Sequence, residues 1–166
     1  MAIKDADPFD YAKAERVIPV SKRVIAEFAV TPSQNDFGLL DIEFQDEKGT
    51  AGIRFSFDST GNLVTKAGYR NRNLIKYNKG EEYTIRVEVN TETRFYYVSV
   101  NGKALSPGLL FAPLHHVQRV VFRTGGVRRF PDADTPTDQM YDLPNGGARA
   151  KEAAYYITSF KTSKPS

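Results

Sequence analysis

The chain has 166 residues, a formal net charge of +3 and no cysteine. This length suits one domain, which at this size can bury enough surface to be stable without cross-links. The composition excludes disulfides, thiolate metal sites and cysteine nucleophiles. The small basic excess is spread along the chain, which argues against nucleic-acid binding. No apolar run approaches the ~20 residues that a membrane-spanning helix needs.

Short strands are the elements that the sequence predicts along most of its length. Apolar residues alternate with polar ones in several segments, a pattern typical of half-buried strands. The predicted inward positions are Val24, Ala26, Phe28 and Val30, then Leu40, Ile42 and Phe44, then Ile53, Phe55 and Phe57, then Tyr83, Ile85, Val87 and Val89. Residues 94–103, 117–125 and 153–162 read as later strands, and Asn101-Gly102 as a hairpin turn.

Helical patterns are almost missing from the sequence. No segment has a helical period longer than one or two turns, and only residues 148–154 suggest a short helical turn. At least eight short strands are separated by polar turns, with no alternation of strands and helices. This pattern predicts an antiparallel sandwich or barrel.

The order of the later strands carries a resemblance to a known fold. The succession of YTIRVEVN, RFYYVSVNGKAL, RVVFRTG and AAYYITSFKT resembles a concanavalin A-like, or laminin-G-like, jelly roll. The resemblance implies an all-β fold, an antiparallel β-sandwich over residues 15–162. Residues 1–14 are then expected to be an N-terminal extension and residues 163–166 a disordered tail.

The sequence also resembles the jelly-roll modules of secreted bacterial glycoside hydrolases and polysaccharide lyases. This resemblance implies a non-catalytic module that binds a polysaccharide or oligosaccharide, an acidic one being an option, or that packs on a catalytic domain of the parent chain. The alternatives are a purely structural docking module and a stand-alone glycosidase or lyase. A secreted, periplasmic or cell-surface location is implied, although residues 1–17 lack the apolar segment of a signal peptide.

No set of residues predicts a catalytic site. Asp41 and Glu43 share one face of a strand, as the paired acids of glycosidases do, but they do not form the Glu-x-Asp-x-x-Glu pattern of that superfamily. We interpret them as part of a solvated strand face. His115 and His116 are adjacent and point to opposite sides if they lie on a strand. A lyase would have to draw its base and uronate partner from His115, Tyr69 and Arg72.

Residues 68–78, GYRNRNLIKYN, combine aromatic rings with planar polar groups. Sugars are bound by such rings and groups, and arginine holds carboxylates through two hydrogen bonds. The candidate ligand-binding residues here are Tyr69, Arg70, Arg72, Asn73 and Tyr77. The alternative interpretation is an edge strand or exposed loop with solvated charges.

Residues 128–147, RRFPDADTPTDQMYDLPNGG, form a long connection before the last predicted strand. Its carboxylates are potential oxygen ligands for a structural calcium ion, although the spacing is not that of an EF-hand. The candidate metal ligands are Asp132, Asp134, Asp138 and Asp142. We favour an ordered cap held by Arg–Asp pairs and turns, with Arg128 and Arg129 as further candidates for ligand contact. Calcium is the alternative, and no other cofactor is expected.

Overall fold

The structure, a computed structural model, describes residues 1–6, 12–124 and 151–165. These residues contain thirteen strands in two antiparallel sheets and no helix. The seven-stranded sheet consists of β1 (Ala2–Asp5), β3 (Arg23–Pro32), β8 (Tyr83–Asn90), β9 (Phe95–Val100), β10 (Lys103–Ala104), β11 (Gly108–Leu109) and β13 (Ala153–Ser163). The six-stranded sheet consists of β2 (Lys13–Ser21), β4 (Leu40–Gln45), β5 (Ala51–Phe57), β6 (Asn62–Ala67), β7 (Arg70–Lys76) and β12 (Val117–Thr124).

The strand order is that of a jelly-roll β-sandwich, which confirms the predicted fold class. The seven-stranded sheet runs β1-β13-β3-β8-β9-β10, with β11 also paired to β9, and the six-stranded sheet runs β2-β12-β4-β5-β6-β7. Neighbours in space are often distant in sequence: Ile157 pairs with Val30, and Phe122 with Ile42. The core therefore forms from strands contributed by the whole chain.

The core lies between the two sheets and is built from the predicted inward positions. All of these side chains are buried. Aromatic rings join the sheets: Phe28 on β3 meets Phe122 on β12 edge to face, with 5.3 Å between ring centroids. Phe55 on β5 meets Tyr96 on β9 in the same way, at 5.7 Å. The period-2 pattern thus places one face of each of these strands in the core between the two sheets.

The connection that precedes β12 packs against the core and the six-stranded sheet. Leu114 in this connection is buried against the core. A Cβ atom at Gly52 would lie only 2.7 Å from Cγ of Leu114, so the close approach of this segment requires glycine at that position. The adjacent Phe111 donates its backbone N–H to the carbonyl oxygen of Gly52, at 2.9 Å. The connection is therefore fixed to the six-stranded sheet.

Both ends of the described chain lie within the sheets. β1 pairs with β13, and the amino group of Met1 donates a hydrogen bond to the carbonyl oxygen of Ile157. The range expected as an N-terminal extension, 1–14, thus includes β1 and the start of β2, while β13 extends to Ser163. The domain boundaries 15 and 162 stay predictions. The predicted cap over 128–147 and residues 148–150 of the predicted helical turn lie outside the described residues. The described part of that turn, 151–154, is not helical, because Ala153 and Ala154 begin β13.

Candidate functional site

The outer face of the six-stranded sheet, which points away from the core, carries a row of polar side chains across its central strands. Leu40, Ile42 and Phe44 of β4 point into the core, so the alternate residues of that strand point outward. The register places Glu43 opposite Arg54 on β5 and Val121 on β12. Despite their outward direction, the polar residues of this region are buried: Asp41, Glu43, Gln45, Arg54 and Ser56. The expectation of a solvated face was wrong.

We call Asp41, Glu43, Arg54 and Arg123 the outer-face network, because ion pairs join them. Glu43 Oε1 accepts hydrogen bonds from Arg54 Nη2 at 2.9 Å and from Arg123 Nη2 at 3.2 Å. Arg123 Nη2 also lies 3.4 Å from Asp41 Oδ2. The side chain of Glu43 is only 3% exposed, whereas that of Arg123 is 25% exposed. Arg123 is therefore the member of the network that solvent or a ligand reaches most easily.

Two neutral residues complete the hydrogen bonds of the carboxylates. Gln45 Nε2 donates to the second oxygen of Glu43 at 2.6 Å, and Ser56 Oγ donates to Asp41 Oδ1 at 2.5 Å. These hydrogen bonds are needed because burying a charge without partners costs free energy. The result is a rigid set of planar polar groups on one face of the sheet. Groups of this kind, held in place before binding, are suited to recognising sugar hydroxyls.

A surface cavity, which we call the edge cavity, lies beside this network. It has a volume of about 530 Å³ and is formed by β6, the β6–β7 turn, β7, β9 and residues 107–111. Phe111 connects the two features: its ring centroid lies 5.9 Å from the guanidinium carbon of Arg54 and 5.3 Å from Nζ of Lys66. Phe111 therefore contacts both the network and the wall of the cavity.

The wall of the edge cavity is held by contacts with both sheets. Arg72 on β7 donates from Nη2 to the carbonyl oxygen of Ser106 at 3.1 Å and from Nη1 to that of Pro107 at 3.2 Å. Gly108 packs on the ring of Tyr96, and a Cβ atom there would overlap with that ring. The hydroxyl group of Tyr96 is hydrogen-bonded to Oγ1 of Thr65 at 2.6 Å. The cavity is consequently preformed.

The candidate residues of segment 68–78 are separated by the structure. The segment forms the β6–β7 turn and the edge strand β7, where Tyr69, Arg70 and Asn73 are exposed. Arg72 lines the edge cavity, but the other three do not. Since both guanidinium Nη atoms of Arg72 bond to backbone carbonyls, its role in the described structure is to position the wall.

Tyr77 was wrong as a candidate for ligand contact. Its side chain is 1% exposed and lies in the core, between the rings of Phe57 and Tyr83. Its hydroxyl group donates to the carbonyl oxygen of Asp58, and burial raises the pKa of this phenol above its usual value. Tyr77 is an aromatic residue at the end of a polar segment, but it packs against two other rings in the core and is therefore not part of the surface.

Lys66, Phe111 and Arg123 line the surface but were not candidates. Arg123 follows the period-2 pattern of β12, which was visible in the sequence as VVFRT. Phe111 lies in an irregular connection, so no periodicity assigns it a direction. Its place depends on the hydrogen bond with Gly52, a contact between residues far apart in the sequence.

The remaining candidates lie outside the described residues. These are Arg128 and Arg129 for the ligand, and Asp132, Asp134, Asp138 and Asp142 for calcium. Calcium binding at this segment therefore stays a prediction. Over 1–6, 12–124 and 151–165, no group of three or more His, Asp or Glu side chains is arranged to hold a metal ion.

The two histidines take separate positions. His116 Nε2 lies 2.5 Å from Oε2 of Glu47, near the β4–β5 turn. The carbonyl oxygen of His115 accepts a hydrogen bond from the hydroxyl group of Thr91. Neither histidine lines the edge cavity.

Comparisons with known proteins show the family of the chain. The family model described as "Sialidase-like, CBM domain", CBM standing for carbohydrate-binding module, matches residues 1–139. A solved structure described as "Sialidase" is 41% identical, with a TM-score of 0.87 over 98% of this chain. The chain spans 15% of that sialidase chain. No curated protein sequence matches.

More distant structures share the fold alone. An alginate lyase of polysaccharide lyase family 7, AlgAT5, is 9% identical with a TM-score of 0.63, over 99% of this chain and 77% of its own. Sheep galectin-11 in complex with glycerol is 16% identical with a TM-score of 0.54, over 95% of this chain and 98% of its own. None of the described residues forms a helix of the length and apolarity that a membrane span requires.

Proposed function

Because the chain belongs to the sialidase-like carbohydrate-binding module family, we propose that it binds glycan through the outer face of its six-stranded sheet. The observation that supports this proposal is the outer-face network, in which Glu43 fixes Arg54 and Arg123 through hydrogen bonds. Planar side chains held in this way lose little conformational freedom when they bind hydroxyl groups. The ring of Phe111 beside Arg54 offers an apolar surface for the carbon atoms of a sugar.

The proposal extends to a parent protein. The 41% identical sialidase chain is several times longer than this chain. We propose that the module serves a glycoside hydrolase of this kind by holding it near polysaccharide, and that it also packs on the catalytic domain. This role places the module outside the cytoplasm, in a secreted, periplasmic or cell-surface enzyme.

The test is a binding assay on a panel of neutral and acidic polysaccharides. Arg123→Ala should weaken binding at least about tenfold, because a hydrogen bond to a charged group contributes roughly 1.5–3 kcal/mol. Arg86→Ala is the matched control: Arg86 is a half-buried arginine on β8 of the opposite sheet, and its Nη1 lies 3.8 Å from Oε2 of Glu88. Thermal melting of both variants shows whether weaker binding comes from a lost contact or from a loss of folding.

Three results would change the proposal. Unchanged affinity in folded Arg123→Ala would move the glycan away from the network. Lack of binding by the wild-type chain to every polysaccharide would favour the purely structural docking module. Formation of shorter products from any polysaccharide would favour a stand-alone glycosidase or lyase.

A further inference from the structure

A smaller cavity, which we call the turn pocket, lies where three connections of the sandwich meet. It has a volume of about 270 Å³ and is formed by the β2–β3 turn, the β8–β9 turn and the connection that precedes β12. Most of its lining side chains are polar or charged: Lys22, Thr91, Glu92, Arg94 and His115. None of the described residues lines both this pocket and the edge cavity, and none of the outer-face network lines it. The turn pocket is therefore separate from the surface that we propose for glycan.

Thr91 joins the three connections that form the turn pocket. Its backbone N–H donates to the carbonyl oxygen of Lys22 at 2.9 Å. Its buried hydroxyl group lies 3.1 Å from the same oxygen and 3.0 Å from the carbonyl oxygen of His115. The β8–β9 turn is also held by Asn90, whose Oδ1 accepts a hydrogen bond from the backbone N–H of Glu92 at 3.0 Å. The pocket is thus formed before any ligand binds, which lowers the free-energy cost of binding.

Arg94 occupies a position of the β8–β9 turn where glycine would be less strained. Its φ angle is 62°, in the left-handed region that a residue with a Cβ atom adopts only at a cost in free energy. The backbone is held in place because the carbonyl oxygen of Arg94 accepts a hydrogen bond from the N–H of Leu110 at 2.9 Å. Within the part of the chain that the structure describes, no hydrogen bond or ion pair engages its guanidinium group. The fold thus accepts strain to keep a charged side chain that its own contacts do not use.

The charge and size of the turn pocket favour a small anion. Lys22, Arg94 and His115 bring N–H donors to it, whereas Glu92 is its one lining carboxylate. Oε1 of Glu92 is paired with Nζ of Lys22 at 3.4 Å, so the donors of Arg94 and His115 remain for a ligand. The volume of about 270 Å³ is below the range of ~300–1,000 Å³ that is typical of small-molecule sites. A single oxyanion group therefore fits this pocket better than a sugar ring or a peptide.

Glu92 sets a further requirement on the anion. Its Oε2 has no hydrogen-bond partner in the described ranges, and a carboxylate oxygen can only accept a hydrogen bond. Hydrogen phosphate keeps one proton at neutral pH and can donate its P–O–H group to this oxygen. Sulfate has acceptor oxygens alone, which the carboxylate would repel. The pocket should therefore favour a protonated phosphate over sulfate.

We infer that the turn pocket binds hydrogen phosphate, with Arg94 and His115 donating hydrogen bonds to its oxygens and Glu92 accepting one from its P–O–H group. Lys22 adds positive charge and holds Glu92. The bound ion joins the β8–β9 turn to the connection that precedes β12, so it should stabilise the folded protein. The binding does not depend on the glycan proposal, because the two sites share no residue.

The experiment compares oxyanions that differ in their proton. Calorimetry at about pH 8 and constant ionic strength, in a buffer without phosphate, measures the binding of inorganic phosphate and of sulfate. The wild-type chain should bind phosphate at least about tenfold more tightly than sulfate, the size expected for one hydrogen bond to a charged group. Glycerol phosphate is measured at about pH 5.5, where the monoester keeps a proton because its second pKa is about 6. Its affinity tells whether the pocket takes the free ion alone or also the phosphate group of an ester.

Variants of the β8–β9 turn locate the effect. Arg94→Gly should abolish phosphate binding, yet without phosphate its melting temperature should equal or exceed that of the wild type, because glycine relieves the strained φ angle. Ser159→Gly is the matched control: Ser159 has a φ angle of 58° and does not line the pocket, so phosphate affinity should be unchanged. Glu92→Gln should reduce the preference for phosphate over sulfate, because an amide can donate as well as accept. Phosphate should raise the melting temperature of the wild type and of Ser159→Gly, but not that of Arg94→Gly.

Three results would overturn the phosphate site. They are lack of phosphate binding by the wild-type chain, equal binding of sulfate and phosphate, and unchanged phosphate affinity in folded Arg94→Gly. These results are independent of the polysaccharide panel. A negative panel with phosphate bound would refute the proposed function alone, and glycan binding through Arg123 without phosphate binding would refute the phosphate site alone.

Discussion

The contribution of a buried tyrosine hydroxyl group to stability depends on whether it has a hydrogen-bond partner. Tyr77 donates to Asp58, Tyr83 donates to Glu81, and Tyr96 is bonded to Thr65. Tyr155 is equally buried, but among the described residues its hydroxyl group makes no hydrogen bond of normal geometry, and its polar neighbour is the side chain of Gln34. A buried polar group without a partner costs free energy that a satisfied one does not.

This difference predicts opposite results for two Tyr→Phe substitutions. Tyr96→Phe should lower the free energy of unfolding by about 1–2 kcal/mol, because it removes a buried hydrogen bond. Tyr155→Phe should change it by less than about 0.5 kcal/mol or raise it, because no bond is lost. Urea unfolding of the wild type and both variants measures the two values. Equal losses of unfolding free energy in the two variants would contradict the assignment of hydrogen-bond partners to Tyr96 and Tyr155.

At the scale of strands, the outer-face network makes the stability of β4 depend on its contacts with the neighbouring strands β5 and β12. Glu43 is the residue that joins them, since it accepts hydrogen bonds from arginines on both strands. Removing one partner of a buried ion pair is far more costly than removing an exposed one. The network therefore contributes to stability as well as to the proposed site.

Glu43→Gln should lower the free energy of unfolding by roughly 3–5 kcal/mol, because Arg54 and Arg123 lose their shared carboxylate. Glu92→Gln is the control, since Glu92 and its partner Lys22 are 61% and 68% exposed. Its cost should stay below about 1 kcal/mol. Urea unfolding gives both numbers, and a loss of similar size in the two variants would show that the network does not stabilise the sheet.

The strands themselves were largely predictable, whereas the site was not. Alternation alone identified the buried faces of β3, β4, β5 and β8, because each has one face against the core. It missed β2, which is an edge strand with exposed Val17 and Val20 and so lacks a clear alternation. The outer face of β4 was misjudged for another reason: its burial depends on Arg54 and Arg123, which the register brings together from distant positions.

For the whole molecule, buried phenols link stability to alkaline pH. Burial raises the pKa of Tyr77, Tyr83 and Tyr155 above the usual value of about 10. Above pH 10 the unfolded chain therefore releases phenolic protons that the folded protein retains. The folded state binds more protons, so the free energy of unfolding must fall as the pH rises.

Urea unfolding between pH 8 and pH 11 should show this loss beginning near pH 10. Tyr77→Phe should reduce the slope of unfolding free energy against pH, because one of the three shifted groups is gone. Tyrosinate absorbance of the folded protein should rise at higher pH than that of the unfolded chain. A free energy that is constant across this range, or an unchanged slope in Tyr77→Phe, would contradict the burial effect.

The pairing of β1 with β13 has a mechanical consequence. Because the two strands are antiparallel, β1 pairs with the first four residues of β13, and its start, with Ala2 opposite Tyr156, lies nearest the rest of that strand. A pulling force applied between Met1 and Ser163 would load the hydrogen bonds of β1 one pair after another instead of all together. β1 should thus peel away at low force, while β13 stays anchored to β3 along most of its length. Under tension, the molecule would release β1 before its core opens.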